Sequence, residues 1–283
     1  QSYQEISAIV NMNAKTVERL VLSECEKSLA LKARYARVKR LGIDEQSHKK
    51  GKKNFICILT DLDTGTIVDI LPDRKKETLM AHFQSLGASF CQQITDVSCD
   101  IWAAYITTIE TCFPNANLIL DRFHVTKLLN ESLDEMRKQL RQAHQEEGVF
   151  KKLKWVLFKQ YYKLSDAELA VLDDAFQVSP ALQKNYFLRE EFHHILENND
   201  DVNTVLTLMD QWIEKVKLTQ CPIFDTFVKT LLKYKTYIAN YVKDNLSNAV
   251  TEGLNNLVRS IRRVSFGLPN FQHLRLRALA ISS

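Results

Sequence analysis

Two acids stand at seams of the sequence. In "VSCDIWAAY", residues 97–105, Asp100 follows the small, apolar run Val97-Ser98-Cys99 and precedes a helix-like stretch with Trp102 and Tyr105 three apart. In "VKRLGIDEQS", residues 38–47, Asp44 lies within or at the end of another strand-like run. A third acid, Glu252, falls in the first turns of a late helix, "NAVTEGLNNLVRSIRRV". Carboxylates at one edge of a sheet can converge although distant in sequence, and ligands of open α/β sheets gather at strand carboxyl ends. Oxygen donors without His or Cys suit magnesium or manganese. Two such ions about 3.5–4 Å apart support in-line phosphoryl transfer. Spacing alone does not single these three out of 34 acids, and Asp100 by itself also reads as a helix N-cap.

The elements that must position them follow from periodicity. Residues 38–47, 54–63 and 65–73 read as strands, the last two joined by the hairpin sequence "DLDTG". An amphipathic helix (75–93), a strand (94–100), a helix ending near Pro114, a strand (115–121) and a long helix (123–142) follow. This order describes an α/β fold: a mixed five-stranded sheet, an antiparallel meander continued by parallel crossovers, as in ribonuclease-H-like proteins. From 143 to about 240 only helical patterns remain, as in "LKWVLFKQYYKL", and their aromatics read as core of an all-helical insertion. Near the start, Ile6, Ile9 and Val10, then "NMN", then Val17, Leu20 and Val21 outline a partial helix-turn-helix, with Asn13 able to cap its second helix. The expected organisation is 1–37 partial helix-turn-helix and helical linker; 38–142 first part of the core; 143–245 insertion; 246–283 C-terminal helix and tail of the core.

Composition bounds the class. The 283 residues are 45% hydrophobic and 25% charged, with only seven Gly and five Pro, which favours long helices over a turn-rich β sandwich. No apolar run reaches the roughly 18 residues a membrane span needs. Six scattered cysteines without a C-x-x-C pair speak against a zinc ribbon or a disulfide framework and fit a reduced, cytoplasmic protein. The net charge of +4 is unevenly spread: +6 over residues 1–53, −9 over 54–228 and +7 over 229–283. Two basic ends around an acidic middle suit a polyanion gripped at the ends. Lys49, Lys50, Lys52 and Lys53 precede the second strand, while Arg259, Arg262, Arg263, Arg275 and Arg277 follow Glu252. Such residues hold phosphates without reading sequence.

Four blocks, "GIDEQSHKKGKKNF", "VSCDIWAAY", "LDRFHVTKLLN" and "NAVTEGLNNLVRSIRR…SFGLPNFQHLRLRAL", occur in order along nearly the whole chain. Together they resemble the ISL-three family of bacterial insertion-sequence transposases, DDE enzymes on a ribonuclease-H-like fold. The resemblance implies Asp44, Asp100 and Glu252 as catalytic acids holding two Mg2+ or Mn2+ ions, with Trp102 part of the second acid's block. It implies cleavage of DNA at transposon ends, strand transfer into target DNA, a homodimer or larger assembly on DNA, and a bacterial, nucleoid-associated setting. Asp121 and His124 of "DRFH" match an accessory pair in related enzymes, where the His would hold a phosphate and the Asp orient it. Glu45 is expected on the opposite strand face from Asp44, Asp61, Asp63 and Asp96 in turns or at the surface, and His48, His193 and His194 in surface or packing roles. Family members begin with a cysteine-based zinc segment; its absence leads to the expectation of a chain shortened at its N-terminus or a decayed copy. The alternatives are a nuclease or resolvase that does not join strands, and a domesticated, inactive DNA-binding protein.

Overall fold

The computed structural model describes residues 2–28, 31–47, 55–144, 148–243, 249–264 and 270–282. The chain divides into two compact units, Gln1–Ile119 with Leu246–Ser283, and Leu120–Asn245.

The first unit opens with α1 (Tyr3–Val10) and α2 (Ala14–Ser28). Ser2 and Glu5 form a reciprocal capping box on α1, which ends at Asn11 in the left-handed region, φ 52°. Asn13 caps α2, its side-chain oxygen accepting from the Lys15 amide at 2.9 Å. α3 (Leu31–Ala36) leads into β1 (Arg40–Ser47), β2 (Phe55–Asp61) and β3 (Thr66–Leu71). The expected single helix over 75–93 is two, α4 (Lys76–Leu86) and α5 (Ala88–Gln93), because Gly87 at φ 87°, ψ 163° breaks the ladder. Then come β4 (Asp96–Cys99), α6 (Ala103–Cys112) and β5 (Asn117–Leu120).

The strands form one mixed sheet in the order β3-β2-β1-β4-β5. β1 pairs antiparallel with β2, Asp44 opposite Ile58, and parallel with β4, Ile43 opposite Cys99. This is the ribonuclease-H-like arrangement. β1 is central, and its side chains alternate between two covered faces. On one face, α13 (Ala249–Val264) and α14 (Phe271–Ile281) bury Val258, Ile261, Leu274, Ala278 and Leu279 against Ile56, Ile58, Ile67 and Ile70. Leu254 and Leu257 extend that contact.

The second unit is all helix: α7 (Arg122–Ala143), α8 (Lys154–Phe158), α9 (Asp166–Val178), α10 (Pro180–Glu197), α11 (Val202–Leu218) and α12 (Asp225–Ala239), with short 3-10 turns between. Its core is aromatic. Trp212 is fully buried, edge-on to Phe192 and Phe227, and donates to the Leu188 carbonyl at 2.7 Å. The expectation that the aromatics here are core holds for these rings but not for Trp155, 69% exposed, or Tyr162, 73% exposed. Helical spacing identifies a face but not what covers it.

No described helix is long and apolar enough to cross a membrane. All six cysteines are free thiols.

Candidate active site

β1 and β4 run parallel side by side, so the residues at their carboxyl ends share an edge. Asp44 lies within β1, directly after Ile43, the last residue paired with β4, and Asp100 directly follows β4. One carboxylate oxygen from each of Asp44, Glu45 and Asp100 lies within 4.8 Å of the others. Asp100 is 9% exposed. It is not the cap of the helix that follows: α6 begins at Ala103, its N-cap is Trp102, and that residue caps without a side-chain bond.

The electrostatics of the pair are set by crowding. Burial, then the Asp100 charge, pushes the Asp44 carboxyl up to about 6, against the Glu45 amide and the Asn255 side chain, which favour its ionised form. The Glu45 amide donates to Asp44 Oδ1 at 2.6 Å and Asn255 Nδ2 to Asp44 Oδ2 at 2.5 Å. Gln46, two residues on and therefore on the same strand face, donates to the Asn255 carbonyl at 2.7 Å. Asn255 is only 4% exposed. These two bonds fasten α13 to β1.

Glu45 presents its side chain to other partners. Its carboxylate pairs with Arg74 and accepts from the buried Tyr105 hydroxyl at 2.9 Å. Arg74 is sandwiched between rings, 3.9 Å from the Phe55 centroid and 4.5 Å from that of Trp102. Trp102 meets Tyr105 edge-on at 4.9 Å. Glu45 thus has different partners from Asp44, as strand alternation expects, yet its length brings an oxygen back to the acid pair, which alternation alone does not foresee.

Glu252 is exposed on α13, three residues before Asn255 and hence about 4.5 Å along the axis from it. At about 100° per residue, Glu252 and Arg259 project to one flank. Leu254, Leu257 and Ile261 occupy the other, against the β2–β3 side of the sheet. Among the described residues, Glu252 is not part of the close carboxylate cluster. Arg259 donates to Asn256 Oδ1 at 2.7 Å and Arg263 is exposed. Arg262 donates to the Ser47 carbonyl at 2.8 Å.

Arg275 departs from its expected phosphate-holding role. Its guanidinium grips Asp69, itself 2% exposed, through Nε at 2.5 Å and Nη2 at 2.9 Å, and Tyr35 also donates to that carboxylate. Arg277 lies over the Tyr3 ring at 4.8 Å. Lys49, Lys50, Lys52, Lys53 and His48 lie outside the described residues. Asp96 is a buried strand acid rather than a surface one, accepting from Asn117 Nδ2 at 2.9 Å. Asp61 accepts from the Asp63 amide and the Thr64 hydroxyl in the β2–β3 turn.

In the helical unit, Asp121 starts α7 and His124 follows one turn later, their Oδ2 and Nδ1 3.2 Å apart. His193 is half-buried there, held down at about 4 by desolvation and then by Arg189.

Sequence reasoning missed Asn255, Gln46, Arg74 and Tyr105. Asn255 carried a usable signal, since it stands one turn from Glu252 in "TEGLNN". Arg74 carried none.

Residues 41–278 match the family model of ISL-three DDE proteins, described as "Transposase". The transposase for insertion sequence element IS1557 of Mycobacterium tuberculosis is 26% identical over 268 residues, 85% of this chain and 59% of that protein. The transposase for insertion sequence element IS1001 of Bordetella parapertussis is 26% identical over 251 residues, 87% of this chain and 61% of that protein. The chain therefore spans about three fifths of the length of these curated relatives.

Proposed function

The chain belongs to the ISL-three family of DDE transposases, and from that premise we propose that it cleaves DNA at transposon ends and joins the freed strands to target DNA. The observation that carries this reading is the approach, within 4.8 Å, of carboxylate oxygens from Asp44 and Asp100, the residues that follow the last parallel pair of β1 and β4, Ile43 and Cys99. An all-oxygen donor set suits a hard divalent cation. So do the electrostatics of Asp44: the burial and then the Asp100 repulsion that lift it to about 6 are both offset when positive charge sits between the two groups. Asp44 and Asp100, with Glu252 as the third carboxylate, would hold two magnesium or manganese ions. When bound, such ions stabilise the charge that builds on the attacking and leaving oxygens of phosphoryl transfer.

The chain's own groups have separate tasks. Asn255 and the Glu45 amide orient the Asp44 carboxylate. Arg74 and Tyr105 hold Glu45, so the extra negative charge beside the acid pair is partly compensated. Arg259 and Arg263 would grip phosphates on the flank that carries Glu252. Asp121 would fix the His124 ring so that its other nitrogen meets a phosphate. α2 would read the transposon end in the major groove. Water, then a DNA 3′ hydroxyl, would be the successive nucleophiles, without a covalent protein intermediate.

The test is Asp100→Asn. It should abolish divalent-cation-dependent cleavage of end-bearing DNA and the appearance of joined products, with an unchanged thermal melt. Cleavage at the wild-type rate would remove Asp100 from the chemistry.

A further inference from the structure

The helical unit carries a surface that the acid cluster does not use. Residues 149–164, "VFKKLKWVLFKQYYKL", hold five Lys, five aromatics and no acid, within a stretch of sequence that is otherwise net acidic. Its apolar side faces inward: Phe150, Leu153, Val156 and Leu157 are buried. Its backbone is pinned from below. Buried Arg137 donates to the Phe150 carbonyl at 3.0 Å, and Arg189, 1% exposed, to the carbonyls of Phe158 at 2.5 Å and Lys159 at 2.9 Å. What remains outside is unusual. Trp155 and Tyr162 are mostly exposed, with Lys154 5.0 Å from the Trp155 centroid and Lys163 5.2 Å from that of Tyr162. Four positions before Trp155, Lys151 lines a cleft of about 450 Å³ whose lining, among the described residues, also includes Lys138, Arg141 and Gln142. Of the segment's lysines, only Lys159 is ion-paired among the described residues, with Glu168.

We propose that this face is a docking surface for an unpaired DNA strand. Exposed rings cost solvation unless something covers them, and positive charge beside both rings selects a polyanionic occupant with planar apolar faces. An unpaired strand offers both features, its bases stacking on aromatics while its phosphates meet lysines. Intact duplex shields its base faces. The buried arginine bonds hold the rings' backbone in place, so little ordering is left for binding to pay. The inference rests on the transposase reading for the kind of DNA met: strands opened or freed at a cut end.

The experiment uses the full chain in EDTA, which separates binding from cleavage, and a fluorescent single-stranded oligonucleotide alongside its duplex. The Trp155→Ala/Tyr162→Ala double variant should bind the single strand about tenfold or more weakly, consistent with loss of stacking on two rings. Its duplex affinity should stay within about twofold, and Trp155→Phe should restore most of the single-strand affinity. Lys151→Gln/Lys154→Gln should lower the slope of log affinity against log salt by about 1.4, the value for two phosphate contacts on a single strand. Both rings are exposed, so thermal melts should not move. Unchanged single-strand affinity in the aromatic variant overturns the proposal, including in favour of a protein partner on this face; equal losses on single strand and duplex overturn it too. Cleavage by wild type in magnesium is scored separately. Cleavage without ring-dependent binding sinks this inference alone, and ring-dependent binding without cleavage sinks the transposase reading alone.

Discussion

Asp44 is a carboxylate kept in a place that resists its charge. Its pKa is raised from the ordinary 3.8 to about 6, so the folded chain holds this proton more tightly than the unfolded chain does. The sign follows: with no metal, this residue's contribution to stability improves as pH falls from above 6 towards 4, and its ionisation weakens the fold above 6. The measurable quantity is the difference in melting temperature between wild type and Asp44→Asn across pH 4–8 in EDTA. The variant should gain relative to wild type at pH 7 and lose that advantage near pH 4. Magnesium at pH 7 should raise the wild-type melting temperature and leave the variant unmoved, since only a ligand bound to the native state stabilises it. Asn255 supports the ionised form, because its amide donates to Asp44 Oδ2. Asn255→Ala should therefore shift the acid limb of the cleavage pH profile upward while changing DNA affinity little. A profile that drops in height without moving along the pH axis would assign Asn255 to the scaffold only.

Among the elements, Gly87 illustrates what hydrophobic periodicity cannot see. The apolar spacing of 75–93 is continuous, but a residue at φ 87°, ψ 163° interrupts the helix, and only glycine adopts that conformation readily. A Cβ at Gly87 would meet nothing within 4 Å, so Gly87→Ala isolates backbone strain from packing and should cost about 1–3 kcal/mol by chemical denaturation. The strands were more legible. All five expected runs are strands, and each is shorter than its apolar run because flanking residues leave the ladder for turns, as Asp63 does, its amide donating to the Asp61 carboxylate. Asp100 shows a limit of another kind: an acid before a helix looks like a cap, but Trp102 occupies that position. Arg275 looked like a phosphate contact because its partner, Asp69, lies 206 positions away and only the fold brings them together.

At the scale of the molecule, a sheet-bearing unit is interrupted in sequence by the helical one and completed by residues beyond 246. Joining two transposon ends requires both to be held at once, so on DNA bearing paired ends light scattering should give two copies of the 32.7 kDa chain per complex. A complex of one chain that still yields joined products would remove the need for a partner. The same long-range closure also imposes an order in time. The side-chain amide that orients Asp44 belongs to a residue 211 positions downstream. A ribosome that has made the whole sheet has therefore not yet made the clasp. Polypeptides that stop within the helical unit would carry Asp44 and Asp100 with only the Glu45 amide to orient the first, so the hold on Asp44 is completed only after the second unit has been made.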